Sequence, residues 1–309
     1  MSSVIIFGPT GQIGSHAALT SASLGAKVFL AMRDPTKSIA GLSKETEESG
    51  NFERIQADLS DPASITNAIK TSGAKRAFFY LLHHSPDHQR AGIEALKAAG
   101  VEFIVFISSF TIEVDKPLRA IAPSELIPFM HAQVEANLDD VFGESNYAAI
   151  RPGAFASNLL AELQGVKEGK VGLPFGGVFL QDNVAPADIG RVAGTVLVSG
   201  PLDKQRKVYV YGPEILSLRA AYPRLGEVLG RKVEVVDVDE GVARSKLEKA
   251  GFPEVFVRYI LEVQSSEGRE KGDGVFPRYE EGVRNVERYT GRKATGLEEW
   301  VGENRALFA

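Results

Sequence analysis

The sequence contains no cysteine. That excludes a disulfide scaffold, a thiolate-bound zinc, an iron–sulfur cluster and a cysteine nucleophile. It is compatible with a reducing compartment. No apolar run approaches the ~20 residues that cross a bilayer, and no basic region precedes the first strand-like stretch, Val4–Phe7. Neither a membrane span nor a signal peptide is expected, and the expected location is cytoplasmic. An excess of positive charge is also lacking: 35 basic residues stand against 40 acidic ones, for a net charge of −5. That balance gives no global attraction to nucleic acid or to an anionic membrane, and neither is expected as a partner. The five histidines (16, 83, 84, 88 and 131) include no His-Glu-x-x-His. His84 and His88 stand four apart with no evident third ligand, so no metal site is expected. No Gly-x-Ser-x-Gly elbow occurs, which disfavours an α/β-hydrolase.

The 309 residues are 44% hydrophobic and 24% charged, values of an ordinary soluble globular protein. The length fits one large domain or two modest ones. Apolar strand candidates at Val4–Phe7, Val28–Met32, Phe52–Ala57, Ala77–Leu82 and Phe103–Ile107 alternate with helical patterns. Those patterns run to about Leu24 and lie near 61–71 and 86–99. Near-continuous apolar strands indicate burial on both faces, as in a parallel sheet covered by helices. The alternation predicts an α/β fold with a doubly wound parallel sheet. Residues 123–142 read as a further helix disturbed by Pro128, and Tyr147–Ile150 as a sixth strand.

After Arg151-Pro152-Gly153 the order changes. Gly172–Gly177 reads as a glycine-rich loop, Asp188–Val198 as a helix, Lys207–Tyr211 as a strand, Leu216–Leu229 as a helix and Val233–Val238 as a strand. The tail from Arg244 reads as mostly helical with a loop near 265–277. The expected organisation is a dinucleotide-binding domain over 1–152 and a smaller α/β substrate-facing lobe over 153–309, partly interleaved with the sheet. Arg269, Lys271, Arg278, Arg284, Arg288 and Arg292 alternate with acids and read as a solvated helix face.

Gly8-Pro9-Thr10-Gly11-Gln12-Ile13-Gly14 joins the first strand to the first helix. Glycines allow a tight turn and close approach of backbone to a pyrophosphate. The helix N-terminus then offers free N–H groups and a positive dipole end. In this strand–turn–helix context the triplet reads as a dinucleotide site. Gly8, Thr10, Gly11, Gln12, Ile13 and Gly14 are its candidate contacts. Arg33, ending the second strand, suits the 2′-phosphate of NADP(H), with Lys37 assisting. A solvated arginine is the other account of Arg33, and Asp34 next door keeps NAD open. Asp58 either contacts the adenine or caps the turn before Asp61-Pro62.

These motifs continue with Ile107-Ser108-Ser109, Arg151-Pro152-Gly153-x-Phe155-x-x-Asn158, Ala187-Asp188-Ile189-Gly190, Tyr211-Gly212-Pro213 and Thr290-Gly291-Arg292…Glu298-Glu299-Trp300. In that order the chain resembles the NmrA-like branch of the atypical short-chain dehydrogenase/reductases over nearly its whole length. The tail also resembles the fungal festuclavine/agroclavine dehydrogenases. The resemblance implies NADP(H) binding, a small-molecule site beside the nicotinamide and, in many members, reductase activity. Other members are redox-sensing regulators.

Typical short-chain reductases carry Tyr-x-x-x-Lys on the helix after the fifth strand, the tyrosine donating a proton as hydride arrives. Aligned on Glu135 and Leu138, this sequence has Ile127 at the tyrosine position and His131 at the lysine position. A Tyr-x-x-x-Lys at Tyr289–Lys293 runs through Thr290-Gly291-Arg292 and reads as chance. His131, His83 and Ser109 are the remaining candidate catalytic residues. His131 would donate a proton or bond the nicotinamide ribose, unless it is an ordinary helix histidine. Leu82, His84 and Ser108, at carboxyl ends of strands, join the cofactor candidates. Phe110, Phe155 and Asn158 are candidates for the substrate pocket, with core packing an equal account of the phenylalanines.

Hydride addition to an iminium gives a neutral amine and needs no proton at the reacting atoms. Addition to an enone or quinone delivers charge to a remote oxygen. The expected function is therefore an NADPH-dependent reductase of a small activated electrophile, in secondary metabolism. The alternatives are a silent NADP(H) sensor with a protein partner and a non-redox isomerase or cyclase.

Overall fold

A computed structural model describes residues 2–265 and 276–309. Arg269, Lys271 and all but the ends of the loop expected near 265–277 lie outside the described residues. The chain divides into two compact units.

The first unit takes Met1–Pro152, Pro186–Val210 and Arg278–Lys293. Its elements are β1 (Ser3–Phe7), α1 (Gln12–Ser23), β2 (Lys27–Met32), α2 (Lys44–Ser49), β3 (Phe52–Gln56), α3 (Pro62–Ser72), β4 (Arg76–Tyr80), α4 (Arg90–Ala98), β5 (Phe103–Ile107), α5 (Leu126–Phe142) and β6 (Tyr147–Pro152). A strand at Lys207–Val210 and helices at Pro186–Ser199 and Tyr279–Thr290 complete it. The strands form one seven-stranded sheet in the order β3-β2-β1-β4-β5-β6 and then Lys207–Val210. All neighbours pair in parallel. The continuous apolar runs of β1 and β5 are explained by this: Val4, Ile5, Ile6, Ile104, Val105 and Phe106 have no exposed surface. The strand order reverses between β1 and β4, so the carboxyl ends of these strands flank the crevice where such sheets bind ligands.

Local signals set the element ends. Asp61 accepts a hydrogen bond from the Ala63 N–H at 2.9 Å, Pro62 opens α3, and Gly73 closes it at φ 61°. Pro128 does not break α5, because it occupies the third helical position, where the N–H has no partner within the helix. α1 packs against the helix Pro186–Ser199 with backbone nearly in contact. A Cβ on Gly190 would come within 2.5 Å of the Ile13 carbonyl oxygen, and one on Gly194 within 2.7 Å of that of Ala17.

The second unit takes Gly153–Ala185, Tyr211–Pro277 and Ala294–Ala309. Its core gathers Leu159, Val171, Tyr222, Leu225, Trp300 and Phe308. The segment expected as a glycine-rich loop begins as a strand: Lys170–Leu173 pairs in parallel with Glu234–Asp237, and only Pro174–Gly177 turns. The helix expected over Leu216–Leu229 starts at Leu218, after Leu216–Ser217 pairs with Leu180–Gln181. Asp182 is buried in this unit and accepts N–H bonds from Ala154 (2.7 Å) and Gly212 (2.9 Å). Burial raises its pKa to about 7 against the opposing pull of those bonds.

Candidate functional site

The glycine loop is built from backbone. Gly8 has φ 72°, its N–H donates to the Ala31 carbonyl (3.1 Å), and its own carbonyl accepts from the Gly11 N–H (3.1 Å). A Cβ on Gly8 would press into the Tyr80 ring, and one on Gly14 would overlap the Gly8 carbonyl. Gly11 is the N-cap of α1; no side chain caps the helix, and its first turn has no acidic residue. The first N–H groups of α1 are thus free of a capping side chain, as an anion cradle requires. Thr10, Gly11 and Gln12 are exposed and Ile13 is half-buried.

The loop after β2 is shaped by a residue that carried no signal in the sequence. Arg54 on β3 donates to the Lys37 carbonyl at 2.7 Å and the Pro35 carbonyl at 2.5 Å, while its Nη2 bonds Glu47 at 2.9 Å. Arg33 and Lys37 stand exposed on this braced loop, and neither forms an ion pair within 4.0 Å among the described residues. Asp34 is committed elsewhere: its carboxylate accepts from the Thr36 Oγ1 (2.6 Å) and N–H (2.9 Å). Those two bonds hold its pKa below the usual carboxylate range. Asp58 makes the same kind of turn with Ser60, at 2.7 Å to Oγ and 2.9 Å to N–H. The Ser60 bonds lower its pKa, and the Arg33 charge adds to the effect.

At the carboxyl end of β4, the Leu82 N–H is taken by the Gln89 Oε1 (2.8 Å), and the Gln89 Nε2 donates to the Tyr80 carbonyl (3.2 Å). Gln89 is buried at φ 63° and delays the start of α4 to Arg90. His83 and His84 lie exposed on the loop so formed. Partial desolvation and then the neighbouring His84 hold the His83 pKa below its ordinary value.

After β5 the wall is made of side chains. Ser108 Oγ donates to Glu135 Oε1 at 2.5 Å. Glu135 on α5 is held bidentate by Arg151 on β6, at 3.0 Å and 2.7 Å, and Arg151 Nη1 donates to the Tyr209 hydroxyl at 3.2 Å. Glu135 and Arg151 have no exposed surface. Burial opposes the Glu135 charge, but Arg151 and the Ser108 bond outweigh it and hold the carboxyl below its usual range. Ser109 pairs with Thr111 Oγ1 at 2.8 Å, and Phe110 is half-buried.

His131 lies one turn before Glu135 on α5, 2.9 Å from the Ile127 carbonyl through Nδ1. A carbonyl oxygen only accepts, so Nδ1 carries the proton and Nε2 presents a lone pair. Burial lowers the His131 pKa to about 4; the Ile127 bond opposes this, and the His83 charge reinforces it. At neutral pH His131 is a neutral acceptor. In this tautomer Nε2 can accept a hydrogen bond and has no proton to donate. α5 contains neither tyrosine nor lysine.

The glycine loop, Arg33, Lys37, Asp58, Leu82, His83, His84, Ser108, Ser109, Phe110 and His131 all belong to the first unit. Phe155 and Asn158 belong to the second, where Phe155 is half-buried beside Val184 and Asn158 is exposed. Tyr289 is buried and accepts the Leu202 N–H, a structural use. Among the described residues no cluster of three His, Cys, Asp or Glu is arranged to hold a metal ion, and no helix is long and apolar enough to cross a membrane. Arg54, Gln89 and Arg151 had no assigned role in the sequence reading. The sequence reading ended the sixth strand at Ile150, whereas the structure continues it to Pro152 and so brings Arg151 inside the sheet.

The chain is 26% identical to festuclavine dehydrogenase easG of Aspergillus fumigatus, over 89% of this chain and 93% of that protein. Its fold matches an NADPH-dependent quinone oxidoreductase from Escherichia coli complexed with NADPH, with a TM-score of 0.73 at 22% identity, over 97% and 99% of the two chains. It is 35% identical to the nitrogen metabolite regulation-like protein bik4 of Gibberella fujikuroi, over 97% of this chain and 95% of that protein. A model of the NmrA-like family matches residues 1–301, so that with its glycine loop, its parallel sheet and this relative the chain belongs to the NmrA-like family.

Proposed function

We propose that the protein is an NADPH-dependent reductase of a small activated organic electrophile: an iminium, an enone or a quinone. The observation that carries this reading is the uncapped glycine-loop helix, with Arg33 exposed after β2 and in no ion pair within 4.0 Å among the described residues. NADPH, when bound, supplies the hydride. Gly8 and Gly14 leave the room that a Cβ would fill, and the first N–H groups of α1 hold the pyrophosphate. Arg33, assisted by Lys37, holds the 2′-phosphate. Asp34 is occupied by Thr36, which weakens the case for NAD.

The wall after β5 limits the chemistry. Ser108 donates its O–H hydrogen bond to Glu135, and His131 donates its Nδ1–H to the Ile127 carbonyl. Both groups accept hydrogen bonds, and neither protonates a nascent alkoxide. That favours substrates needing no proton from the protein: an iminium, which becomes a neutral amine, or an enone or quinone, whose remote oxygen takes a proton from water. The dehydrogenase and oxidoreductase relatives named above support this class of reaction. The Gibberella relative favours a second reading, a regulator that binds NADP(H) and a protein partner without turnover.

Equilibrium titration with NADPH and NADH, followed by NADPH oxidation with iminiums, enones, quinones and ketones, separates the two. Selective NADPH binding with turnover of an activated electrophile is the expected result. Selective binding with no turnover across the panel would favour the regulator.

A further inference from the structure

Two side chains of β3 hold the loop that carries Arg33 and Lys37. Gln56 Nε2 donates to the Arg33 carbonyl at 3.3 Å. Arg54 Nη1 donates to the Pro35 carbonyl at 2.5 Å and the Lys37 carbonyl at 2.7 Å. One strand thus takes the carbonyls of three alternate loop residues, and buried Ile39 anchors the loop beyond them. Arg54 directs its other bonds to Glu47 of α2, from Nε at 2.5 Å and from Nη2 at 2.9 Å. Its charge is matched there, and four of the five guanidinium N–H groups are committed. Arg54 is therefore built into the loop rather than presented as an anion ligand. Arg33 and Lys37 are the opposite case: both are exposed, and neither is in an ion pair within 4.0 Å among the described residues.

A long cationic side chain loses rotamer freedom when it grips a phosphate, and more freedom is lost if the backbone that carries it must also be ordered. Bonds that fix the backbone beforehand lower that cost. The saving applies to NADPH alone, because NADH has no 2′-phosphate for the two cations to grip. We propose that Arg54 and Gln56 are positioning residues for NADPH selectivity, acting on the two exposed cations through the carbonyls of Arg33, Pro35 and Lys37, a role that rests on the assignment of Arg33 and Lys37 to the 2′-phosphate. Glu47 belongs to the same device, since it matches the Arg54 charge and fixes the plane of the guanidinium.

The test is calorimetric titration of the full chain with NADPH and with NADH, each variant being checked for folding by circular dichroism. Arg54→Met should bind NADPH about three- to tenfold more weakly, the cost of re-ordering one or two long side chains, and NADH less than about twofold more weakly. Gln56→Ala, at an exposed position, should shift the ratio the same way by a smaller factor. Arg54→Lys should also lose selectivity, because one ammonium cannot serve both carbonyls and the Glu47 carboxylate; these two variants carry the test if Arg54→Met does not fold. In a chain already bearing Arg33→Ala and Lys37→Ala, adding Arg54→Met should leave NADPH affinity nearly unchanged, since no cation remains to be positioned. A wild-type NADPH-to-NADH ratio in the folded Arg54 and Gln56 variants, equal loss of both nucleotides, or a full further loss in the chain lacking both cations would each overturn the proposal. If Arg33→Ala with Lys37→Ala itself keeps the NADPH preference, the 2′-phosphate assignment falls first and the proposal falls with it.

Discussion

The glycine loop after β1 and the wall after β5 stand at carboxyl ends of strands in one sheet, yet they hold their shapes by different means. The loop is backbone: its bonds join residues three apart or reach the neighbouring strand, and its fit depends on Cβ atoms that are absent. The wall is a chain of buried side chains drawn from β5, α5, β6 and the strand Lys207–Val210, with Ser108 and Glu135 27 residues apart and Arg151 and Tyr209 58 apart. A backbone cradle tolerates exposure and suits a ligand that arrives from solvent. A buried charge network has to be complete before it stabilises anything, because a lone charge left in the interior costs several kcal/mol. The loop thus leaves its N–H groups open, while the wall commits the Ser108 proton to Glu135.

The largest effect expected from breaking this contrast is in the wall. Arg151→Met leaves Glu135 buried without its partner and should cost about 3–5 kcal/mol in urea unfolding. The double variant Glu135→Leu with Arg151→Met should recover most of that loss. A cost below ~1 kcal/mol for the single change would mean that the pair is not holding the wall.

The loop should discriminate among its own glycines. Gly14→Ala drives a Cβ into the Gly8 carbonyl and should cost about 1–3 kcal/mol, with NADPH affinity falling along with stability. Gly11→Ala meets only ordinary contact, at 3.5 Å, and should stay within ~0.5 kcal/mol in thermal unfolding. Equal costs for the two would remove the argument from close approach.

Arg33→Ala should weaken NADPH about tenfold or more, the value of a charge-assisted hydrogen bond of about 1.5–3 kcal/mol, and leave NADH nearly unchanged. Equal loss of both nucleotides in titration would remove the 2′-phosphate role.

The remaining test concerns the pH profile set by His131. Its folded pKa of about 4 lies below the ordinary value of 6.5, so between these pH values the unfolded chain binds the extra proton. Stability should rise with pH across that window and level off above it. His131→Phe should flatten that part of the profile in urea unfolding. An unchanged slope would assign the dependence to other groups.

Legibility followed the same division. The parallel sheet was readable because burial on both faces leaves unbroken apolar runs such as Phe103–Ile107, and α3 because Asp61-Pro62 and Gly73 are local end signals. The glycine loop was readable because three spacings in seven residues specify its turn. The wall was not, because no local pattern pairs Glu135 with Arg151 or commits the Ser108 proton. The tautomer of His131 likewise follows from a carbonyl one turn back, which only the helix brings into reach. The brace of Arg54 and the clasp of Gln89 were hidden for the same reason, as ordinary polar residues whose partners are backbone atoms at a distance. The strand Lys170–Leu173 was obscured by Gly172, whose missing Cβ makes room for Val238.

On the proposed reading, Ser108 and His131, whose protons are committed to Glu135 and Ile127, restrict an NADPH-dependent reductase to electrophiles needing no proton from them. The most direct test is kcat/KM for NADPH oxidation with a cyclic iminium, an enone and a quinone, each against a simple ketone of matched size. Turnover of at least one activated electrophile and little or none of the ketones is expected. Efficient reduction of the ketones with failure on the activated set would contradict it.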